Sequence, residues 1–291
     1  MGDFKEETRD YRELFEEALC CYFRTAGVPE ELVEAMAYSL FAGGKRLRPV
    51  LVLEVTDALG GRLENALPAA CAIEMVHTYS LIHDDLPSMD DDDLRRGRPS
   101  SHRAFGEGVA ILAGDALLTM AFETAASTPP EADPARVCRE IAVGAGPAGI
   151  VGGQVWDLVH DVETGGAREV EYIHTHKTGA LFRTSAKVGA VAAAAPERKI
   201  ELASRFGAAV GLLFQVTDDI LDETAATEAL GKTAGKDAEQ GKLTYPAVFG
   251  LDGARQEAGR LAGEASAVLE ELASGDRMLE AFVDFVLNRT S

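Results

Sequence analysis

Apolar residues recur at intervals of three and four along most of the chain. Tyr11, Leu14, Ala18 and Tyr22 show this spacing near the N-terminus, and it is typical of helices that bury one face. No regular series of alternating apolar runs joined by Asn-Gly or Asp-Gly turns occurs, so strands should be scarce. The pattern predicts an all-α fold of about ten or more helices, organised as one domain over residues 1–291.

One predicted helix begins near Leu47, with Pro49 in its first turn, where proline is tolerated. Proline and glycine predict breaks at 128–130, at Gly165-Gly166 and over 231–241. The other predicted helices run over about 64–84, 102–124, 133–157, 167–194, 197–222, 243–250 and 253–288, the last broken at Gly275.

Composition narrows the classes of protein. The chain has 28 Lys and Arg against 48 Asp and Glu, a formal net charge of −20, which argues against the broad basic face that nucleic acid requires. Its four cysteines form no CxxC pair and predict reduced thiols. The first residues are acidic without an apolar run behind them, so no signal peptide is expected.

The longest stretch without charge, Ile141 to Trp156, is 16 residues long and contains Pro147. That is too short and too broken for a membrane span. We therefore expect a cytoplasmic protein with no membrane span.

Carboxylates cluster where one predicted apolar helix ends. Asp84 and Asp85 directly follow Leu81 and Ile82, and four more aspartates occupy 90–93. Carboxylates next to a buried apolar helix face raise the free energy of the folded state unless a cation or hydrogen-bond donors compensate their charge.

A second predicted helix ends in the same way, with Asp218, Asp219 and Asp222. Asp218 and Asp222 are four residues apart and share one helical face, and Gln215 lies near it. Two such ends facing one cavity would share hard cations, and oxygen ligands favour Mg²⁺ over Zn²⁺. Because Mg²⁺ usually bridges a few carboxylates to phosphates, the pattern predicts a phosphorylated ligand between the clusters.

Basic residues occupy positions suited to that phosphate. Residues 43–49, Gly-Gly-Lys-Arg-Leu-Arg-Pro, open a predicted helix, whose free N–H groups attract anions. The other basic candidates are Arg95, Arg96, Lys177, Lys232 and Lys242.

Together these segments resemble the trans-isoprenyl diphosphate synthases, or polyprenyl synthetases, of the bacterial farnesyl and short-chain geranylgeranyl type. The matching signatures are 43–49, 84–90 with Arg95-Arg96, Lys177-Thr178, Gln215 with 218–222, and 231–232 to 241–242. The resemblance covers nearly the whole chain. It implies helices around a central cavity and, normally, a homodimer.

The resemblance also implies a reaction. An allylic diphosphate ionises to a carbocation and pyrophosphate, the double bond of isopentenyl diphosphate attacks, and a proton is lost. Three Mg²⁺ ions stabilise the leaving group. The implied metal ligands are Asp84, Asp85, Asp90, Asp218 and Asp222.

The same resemblance implies the substrate contacts. Those to isopentenyl diphosphate are Lys45, Arg48, His77 and Arg96, and those to the allylic diphosphate are Arg95, Lys177, Lys232 and Lys242. Thr178 and Gln215 would face the carbocation and count, with Lys177 and the metal-binding aspartates 84, 85, 90 and 218, as catalytic.

Product length depends in this family on residues just before the first aspartate motif. Here these are Tyr79 and Ser80, and the motif contains the two-residue insertion Pro87-Ser88. An aromatic residue five before Asp84, combined with that insertion, resembles bacterial farnesyl diphosphate synthases. It favours a C15 product, with a C20 geranylgeranyl product as the alternative.

The nearest rival is a class I terpene cyclase, which shares the ionisation step. It normally carries an Asn/Ser/Glu second metal motif and needs no isopentenyl diphosphate seat, whereas this chain has aspartates over 218–222 and basic residues at 45, 48 and 96.

Other interpretations fit less well. A metal-dependent phosphohydrolase built on His83-Asp84 would need further His ligands, and no other His lies in a context that suggests a cage. A Ca²⁺-binding scaffold would not explain the basic residues, and no EF-hand pattern occurs. A silent subunit of a heteromeric synthase would not need both aspartate motifs. Some relatives close the site with a basic C-terminal tail, but Arg289 alone does not establish that role and we assign it none.

Overall fold

Helices form nearly all of the regular structure in residues 4–228 and 242–289, which are the residues that the computed structural model describes. The α-helices are α1 (Phe4–Glu7), α2 (Arg9–Tyr22), α3 (Glu30–Leu40), α4 (Leu47–Ala58), α5 (Leu63–Asp84), α6 (Ser101–Phe105), α7 (Glu107–Ala126), α8 (Pro134–Ala145), α9 (Ile150–Val159), α10 (Ala167–Ile173), α11 (Ala180–Ala192), α12 (Glu197–Glu228), α13 (Tyr245–Ala273) and α14 (Arg277–Asn288). The all-α prediction is confirmed.

Helix α5 lies at the centre of the core. It is buried on nearly every side over 66–79, which is why its sequence is apolar all round rather than along one stripe. Helices α4, α7 and α11 pack around it, and α12 packs against α11 and α13. Helix α5 ends at Asp84, in the first predicted aspartate segment. The second segment, 218–222, lies inside α12, which continues to Glu228 instead of ending at 222 as predicted.

Several boundaries differ from the predicted ones. The segment predicted as one helix over 133–157 is two helices, because the chain turns at 146–149, where Pro147 lacks an N–H. Residues 174–179 form a π-helical turn between α10 and α11. Gly250 has a φ of 72°, and this kinks α13 where a break was expected.

A short antiparallel ribbon joins β1 (Leu94–Arg95) to β2 (Arg98–Pro99) directly after the first aspartate segment. Each strand has two residues, too few for the alternating pattern that reveals a strand in a sequence.

The N-terminal helix α1 packs on the last helix of the chain. The Phe4 ring stacks on Phe285 with ring centroids 4.4 Å apart and meets Phe282 edge-on at 5.5 Å. Such aromatic pairs contribute roughly 0.5–1.5 kcal/mol beyond the area that they bury. Two ends of the sequence therefore meet on one face of the protein.

Among the described residues, one helix, α7, is long and apolar enough to cross a membrane by length and composition, and 39% of its most apolar window is buried inside the protein. A core helix of a water-soluble protein meets the same criterion, so this feature carries little weight.

Glu54 of α4 is a buried carboxyl group in this core. It is 1% exposed, and neither of its oxygens has a hydrogen-bond partner among the described residues. Burial raises the pKa of Glu54 well above its usual value, and the nearby Asp276 and Glu7 carboxylates raise it further. The folded protein therefore keeps this proton at pH values where the unfolded chain has lost it.

This proton makes stability depend on pH. A raised folded-state pKa means that stability falls as pH rises above the unfolded-state value of about 4.3, by up to about 1.4 kcal/mol per pH unit. We expect Glu54→Gln, which cannot ionise, to flatten the decline in urea-unfolding free energy between about pH 5 and pH 8. The control is Glu64→Gln, a change at an exposed position. Parallel pH profiles for wild type and Glu54→Gln would contradict the assignment.

Candidate active site

A cavity of about 590 Å³ lies where the carboxyl end of α5 meets α9, the π-helical turn and α12. Asp84 and Asp218 both line this central cavity, so the two aspartate segments share one chamber. Most of the remaining wall is apolar, formed by Tyr79, Leu81, Met89, Ile150, Val151, Val155, Leu158 and Phe214. The central cavity thus combines an acidic edge with room for a hydrocarbon chain.

A second cavity of about 580 Å³ adjoins the first. The two share Arg48, His77, Leu81, Phe214 and Asp218 as lining residues. The second, which we call the basic cavity, also contains Lys45, Arg46, Arg95, Arg96 and Arg289. An acidic, apolar chamber and a basic chamber therefore meet at Phe214 and Asp218.

Asp84 is held by groups from α9 and the π-helical turn. It accepts hydrogen bonds from the Gln154 amide and from Lys177 Nζ, the latter at 3.4 Å. Lys177 also contacts Asp157 at 2.6 Å. Burial raises the pKa of Asp84 above its usual value, with further increases from Asp90 and Asp157. Burial alone would lower the pKa of Lys177, but the carboxylates of Asp84, Asp157 and Asp90 raise it above its usual value, so this ammonium stays charged.

Asp90 lies near Asp84 because the chain turns back after α5. The Asp90 N–H donates to the Asp84 carbonyl at 2.9 Å, and Lys242 Nζ donates to Asp90 Oδ2 at 2.8 Å. Burial alone would raise the pKa of Asp90, but Lys177 and Lys242 lower it below its usual value. Asp90 is therefore an ionised carboxylate.

Asp85 and Asp222 do not line the central cavity. Arg95 forms a close ion pair with the buried Asp85 carboxylate, and Asp85 lines a small pocket beside Tyr38 instead. Asp222 lies one turn beyond Asp218 on an exposed part of α12. The ion pair with Arg95 therefore holds Asp85 away from the chamber that Asp84 lines.

Asp218 is paired with an arginine that the sequence had left without a role. Arg289, whose side chain is 1% exposed, lies 2.9 Å from Asp218 Oδ1 and donates to the Phe214 carbonyl at 2.6 Å. Its guanidinium also covers the Phe214 ring at 3.8 Å. Arg289 is therefore part of the wall between the two cavities.

The loop before α4 presents its basic residues around a buried ion pair. Arg46 has a φ of 52° and donates to Glu74 at 2.6 Å, to Glu16 at 2.8 Å and to the Leu40 carbonyl at 2.9 Å. A positive φ is costly for a residue with a Cβ. These three bonds hold that conformation and place Lys45 and Arg48 on either side of Arg46.

Arg48 and His77 sit side by side in both cavities, with Nη1 and Nε2 3.3 Å apart. Burial lowers the pKa of Arg48 to about 10, so it remains a cation at neutral pH. Burial, together with Arg48 and Arg96, lowers the pKa of His77 well below its usual value. His77 is therefore neutral and can accept or donate one hydrogen bond without adding charge.

Thr178 and Gln215 meet on the opposite wall, where the Thr178 hydroxyl donates to Gln215 Oε1 at 2.7 Å. The π-helical turn that carries Thr178 fits closely against α9, because a Cβ on Gly153 would lie 2.2 Å from the Lys177 nitrogen. π-Helical turns are frequent at functional sites. Lys232, the remaining predicted contact, lies outside the described residues.

Comparison with known proteins identifies the family of this chain. A sequence model of polyprenyl synthetases matches residues 29–277. The chain belongs to the polyprenyl synthetase family. It is 48% identical over 252 residues to a farnesyl diphosphate synthase of Geobacillus stearothermophilus, with 85% of each chain covered.

Other members of the family are similar over most of the chain. The protein is 51% identical over 245 residues to a chloroplastic heterodimeric geranylgeranyl pyrophosphate synthase large subunit 1 of Arabidopsis thaliana, covering 81% of this chain and 66% of that one. It thus spans about two thirds of that plant relative. The solved structure of a Legionella pneumophila geranyltransferase matches with a TM-score of 0.86 and 29% identity, covering 99% and 97% of the two chains.

Polyprenyl synthetases are generally Mg²⁺-dependent, and the donor set of this member suits that ion. Asp84, Asp90 and Asp218 offer carboxylate oxygens, the ligands that Mg²⁺ prefers. No three His, Cys, Asp or Glu side chains in 4–228 and 242–289 form a ready metal cage. Magnesium here would complete its shell with water and substrate phosphate.

The buried ion pair between Arg46 and Glu74, in the loop before α4, can be tested in this polyprenyl synthetase. Arg46→Met leaves the buried Glu74 carboxylate without its strongest partner, and we expect the unfolding free energy to fall by about 3–5 kcal/mol. Replacing both partners, as in Arg46→Met with Glu74→Met, should recover most of that loss. Urea unfolding of the two single variants and the double variant measures the coupling. A loss below about 1 kcal/mol in Arg46→Met would show that the pair does not stabilise the loop.

Proposed function

We propose that this protein condenses isopentenyl diphosphate with C5 and C10 allylic diphosphates head-to-tail and releases diphosphate, with farnesyl diphosphate (C15) as its main product. Family membership supports trans-prenyl diphosphate synthesis. The observation that carries the proposal is the shared wall between an apolar cavity edged by Asp84 and Asp218 and a basic cavity. One substrate needs metal, phosphate and hydrocarbon sites together, and the other needs a cationic seat nearby.

The allylic diphosphate binds at the acidic edge of the central cavity. Asp84, Asp90 and Asp218 would hold Mg²⁺, and the bound ion would neutralise the charge that develops on the departing pyrophosphate. Lys177 and Lys242, each already beside one of these aspartates, contact the phosphate oxygens directly. The hydrocarbon tail extends along the apolar wall toward Tyr79.

Isopentenyl diphosphate binds in the basic cavity. Lys45, Arg48 and Arg96 supply positive charge for its diphosphate, and neutral His77 supplies a hydrogen bond. Its double bond then reaches the junction at Phe214 and Asp218, where the two cavities meet. The two reacting carbons are thereby held together before ionisation, which lowers the entropic cost of bond formation.

The remaining predicted residues take supporting roles. Arg95 lines the basic cavity and orients Asp85. Asp222 and Lys232 keep the roles that the family resemblance implies, in metal binding and in binding the allylic diphosphate. Thr178 and Gln215 face the carbocation with oxygen atoms. The chain acts as one cytoplasmic catalytic domain. It pairs with a second copy, since Ile111 and Leu112 of α7 are exposed apolar residues outside both cavities.

Removing a metal ligand tests the central claim. We expect Asp84→Ala and Asp218→Ala to fold as wild type but to lose about 10²–10³ in kcat, because the leaving group then lacks electrostatic stabilisation. Pyrophosphate release is measured with Mg²⁺ and an allylic diphosphate, with and without isopentenyl diphosphate. Asp252→Ala, at an exposed position on α13, is the control. Release that does not require isopentenyl diphosphate would instead identify a cyclase or a hydrolase.

The floor of the central cavity is built from α5, and α7 packs behind it. The Tyr79 ring meets His83 edge-on at 5.7 Å, and His83 contacts the Ile111 carbonyl at 3.1 Å. His83 fits there because a Cβ on Gly114 would lie 2.2 Å from its Nε2. Ser80, also on the lining, donates to the His77 carbonyl and keeps its hydroxyl away from the hydrocarbon.

Product length tests that floor. Tyr79→Ala removes the ring and deepens the cavity, so we expect mass spectrometry to show a shift from C15 toward C20 or longer products. Tyr22→Ala, which removes a tyrosine outside both cavities, should leave the product unchanged. Geranylgeranyl diphosphate as the wild-type product would favour the C20 alternative, which the plant relatives also support.

A further inference from the structure

A buried hydrogen-bond chain lies directly behind Gln215. Asp219, whose side chain is 2% exposed, accepts from Gln215 Nε2 at 2.9 Å through Oδ1. Its Oδ2 accepts from the Tyr245 backbone N–H at 2.8 Å and lies 3.3 Å from His174 Nε2. Beyond Gln215, the chain ends at the Thr178 hydroxyl. Three separate segments, α12, the π-helical turn and the start of α13, therefore meet at one carboxylate.

The direction of this chain follows from what each group can donate. An ionised carboxylate only accepts, so the NH₂ of the Gln215 amide must face Asp219. The amide oxygen must then face Thr178, whose hydroxyl can donate to it. Gln215 and Thr178 line the central cavity on one side and a smaller cavity with Asp219 and His174 on the other. Asp219 thus decides which end of the amide dipole is held on the Thr178 side.

His174 supports that carboxylate from the π-helical turn. Burial lowers the pKa of His174 to about 3, so the ring is neutral. Its Nδ1 has no hydrogen-bond partner among the described residues, which fits an unprotonated nitrogen better than a buried N–H. The proton is then on Nε2, aimed at Asp219. The ring also stacks on Tyr245, with centroids 5.4 Å apart.

We infer that Asp219 and His174 are positioning residues that fix the Gln215 amide with its oxygen, rather than its NH₂, available to the carbocation. The inference deepens the proposed function and rests on it. An amide that turned over would present N–H donors to a developing positive charge. The electrostatic stabilisation that the cavity wall provides would then be reversed at that point.

The isosteric change Asp219→Asn tests this orientation. The Tyr245 N–H and His174 still require an acceptor, so the new amide oxygen stays at the Oδ2 position and its NH₂ takes the Oδ1 position. That NH₂ can only donate, so the Gln215 amide turns over to accept from it. We expect kcat to fall about 10–100-fold while KM for both substrates changes less than about twofold, because neither diphosphate seat is altered.

A second substitution should restore the acceptor. In Asp219→Asn with Gln215→Glu, the carboxylate introduced at position 215 accepts from the NH₂ introduced at position 219 and from Thr178, and again presents oxygen to the cavity. We expect the double variant to exceed the kcat of Asp219→Asn by about tenfold, although Gln215→Glu alone should be impaired because two carboxylates then face each other. His174→Gln, which can place an N–H near the same position, should retain more kcat than His174→Phe.

The control is Glu223→Gln, which removes one charge four residues further along α12 and should leave kcat unchanged. A wild-type enzyme that fails to condense the two substrates would overturn the proposed function before any variant is compared. If wild type condenses them, then wild-type kcat in Asp219→Asn, or a double variant no better than the product of the two single effects, overturns the positioning role alone.

Discussion

The whole arrangement depends on cations that compensate the negative charge at the end of α5 and on the cavity-facing part of α12. Asp84 and Asp90, which are largely buried, would be costly in free energy beside an apolar cavity if they stood alone, and half-exposed Asp218 adds a third negative charge there. Each has a cation from a distant part of the chain: Lys177, Lys242 and Arg289 respectively. The same cations can share their charge with a diphosphate, so the interactions that make these carboxylates tolerable also prepare the cavity for its ligand.

The two cavities differ in the chemical groups that they offer to a ligand. The central cavity can bury a hydrocarbon chain, whereas the second cavity gathers the cationic side chains of Lys45, Arg48 and Arg96. Phe214 belongs to both walls and carries Arg289 on its face. This aromatic ring therefore lies at the boundary between the mainly apolar cavity and the basic one.

The sequence predicted the parts of this site that are carried by local patterns. Helical spacing indicated the all-α fold, and clustered aspartates identified the two helices that share the cavity, although the second cluster lies inside α12 and not at its end. Asp84 and Asp85 face different surroundings because Arg95 pairs with Asp85, and helical spacing did not reveal this, since adjacent residues such as Phe214 and Gln215 do share the cavity. Gln154, Asp157 and Arg289 had no local signal, because their partners lie 20 to 75 residues away. The π-helical turn also escaped prediction, since its residues fit the spacing of an ordinary helix.

The contact between Phe4 and helix α14 connects the first described helix to the candidate active site. Helix α14 leads into Arg289, and Arg289 holds both Asp218 and the Phe214 carbonyl. The packing of Phe4 on Phe282 and Phe285 thus supports one end of α14, and Arg289, directly after the other end, contacts Asp218, a candidate metal ligand. Removing the first residues of the chain would remove the Phe4 contacts from α14. The position of Arg289 at the junction of the cavities would then be less well fixed, roughly 200 residues further along the sequence.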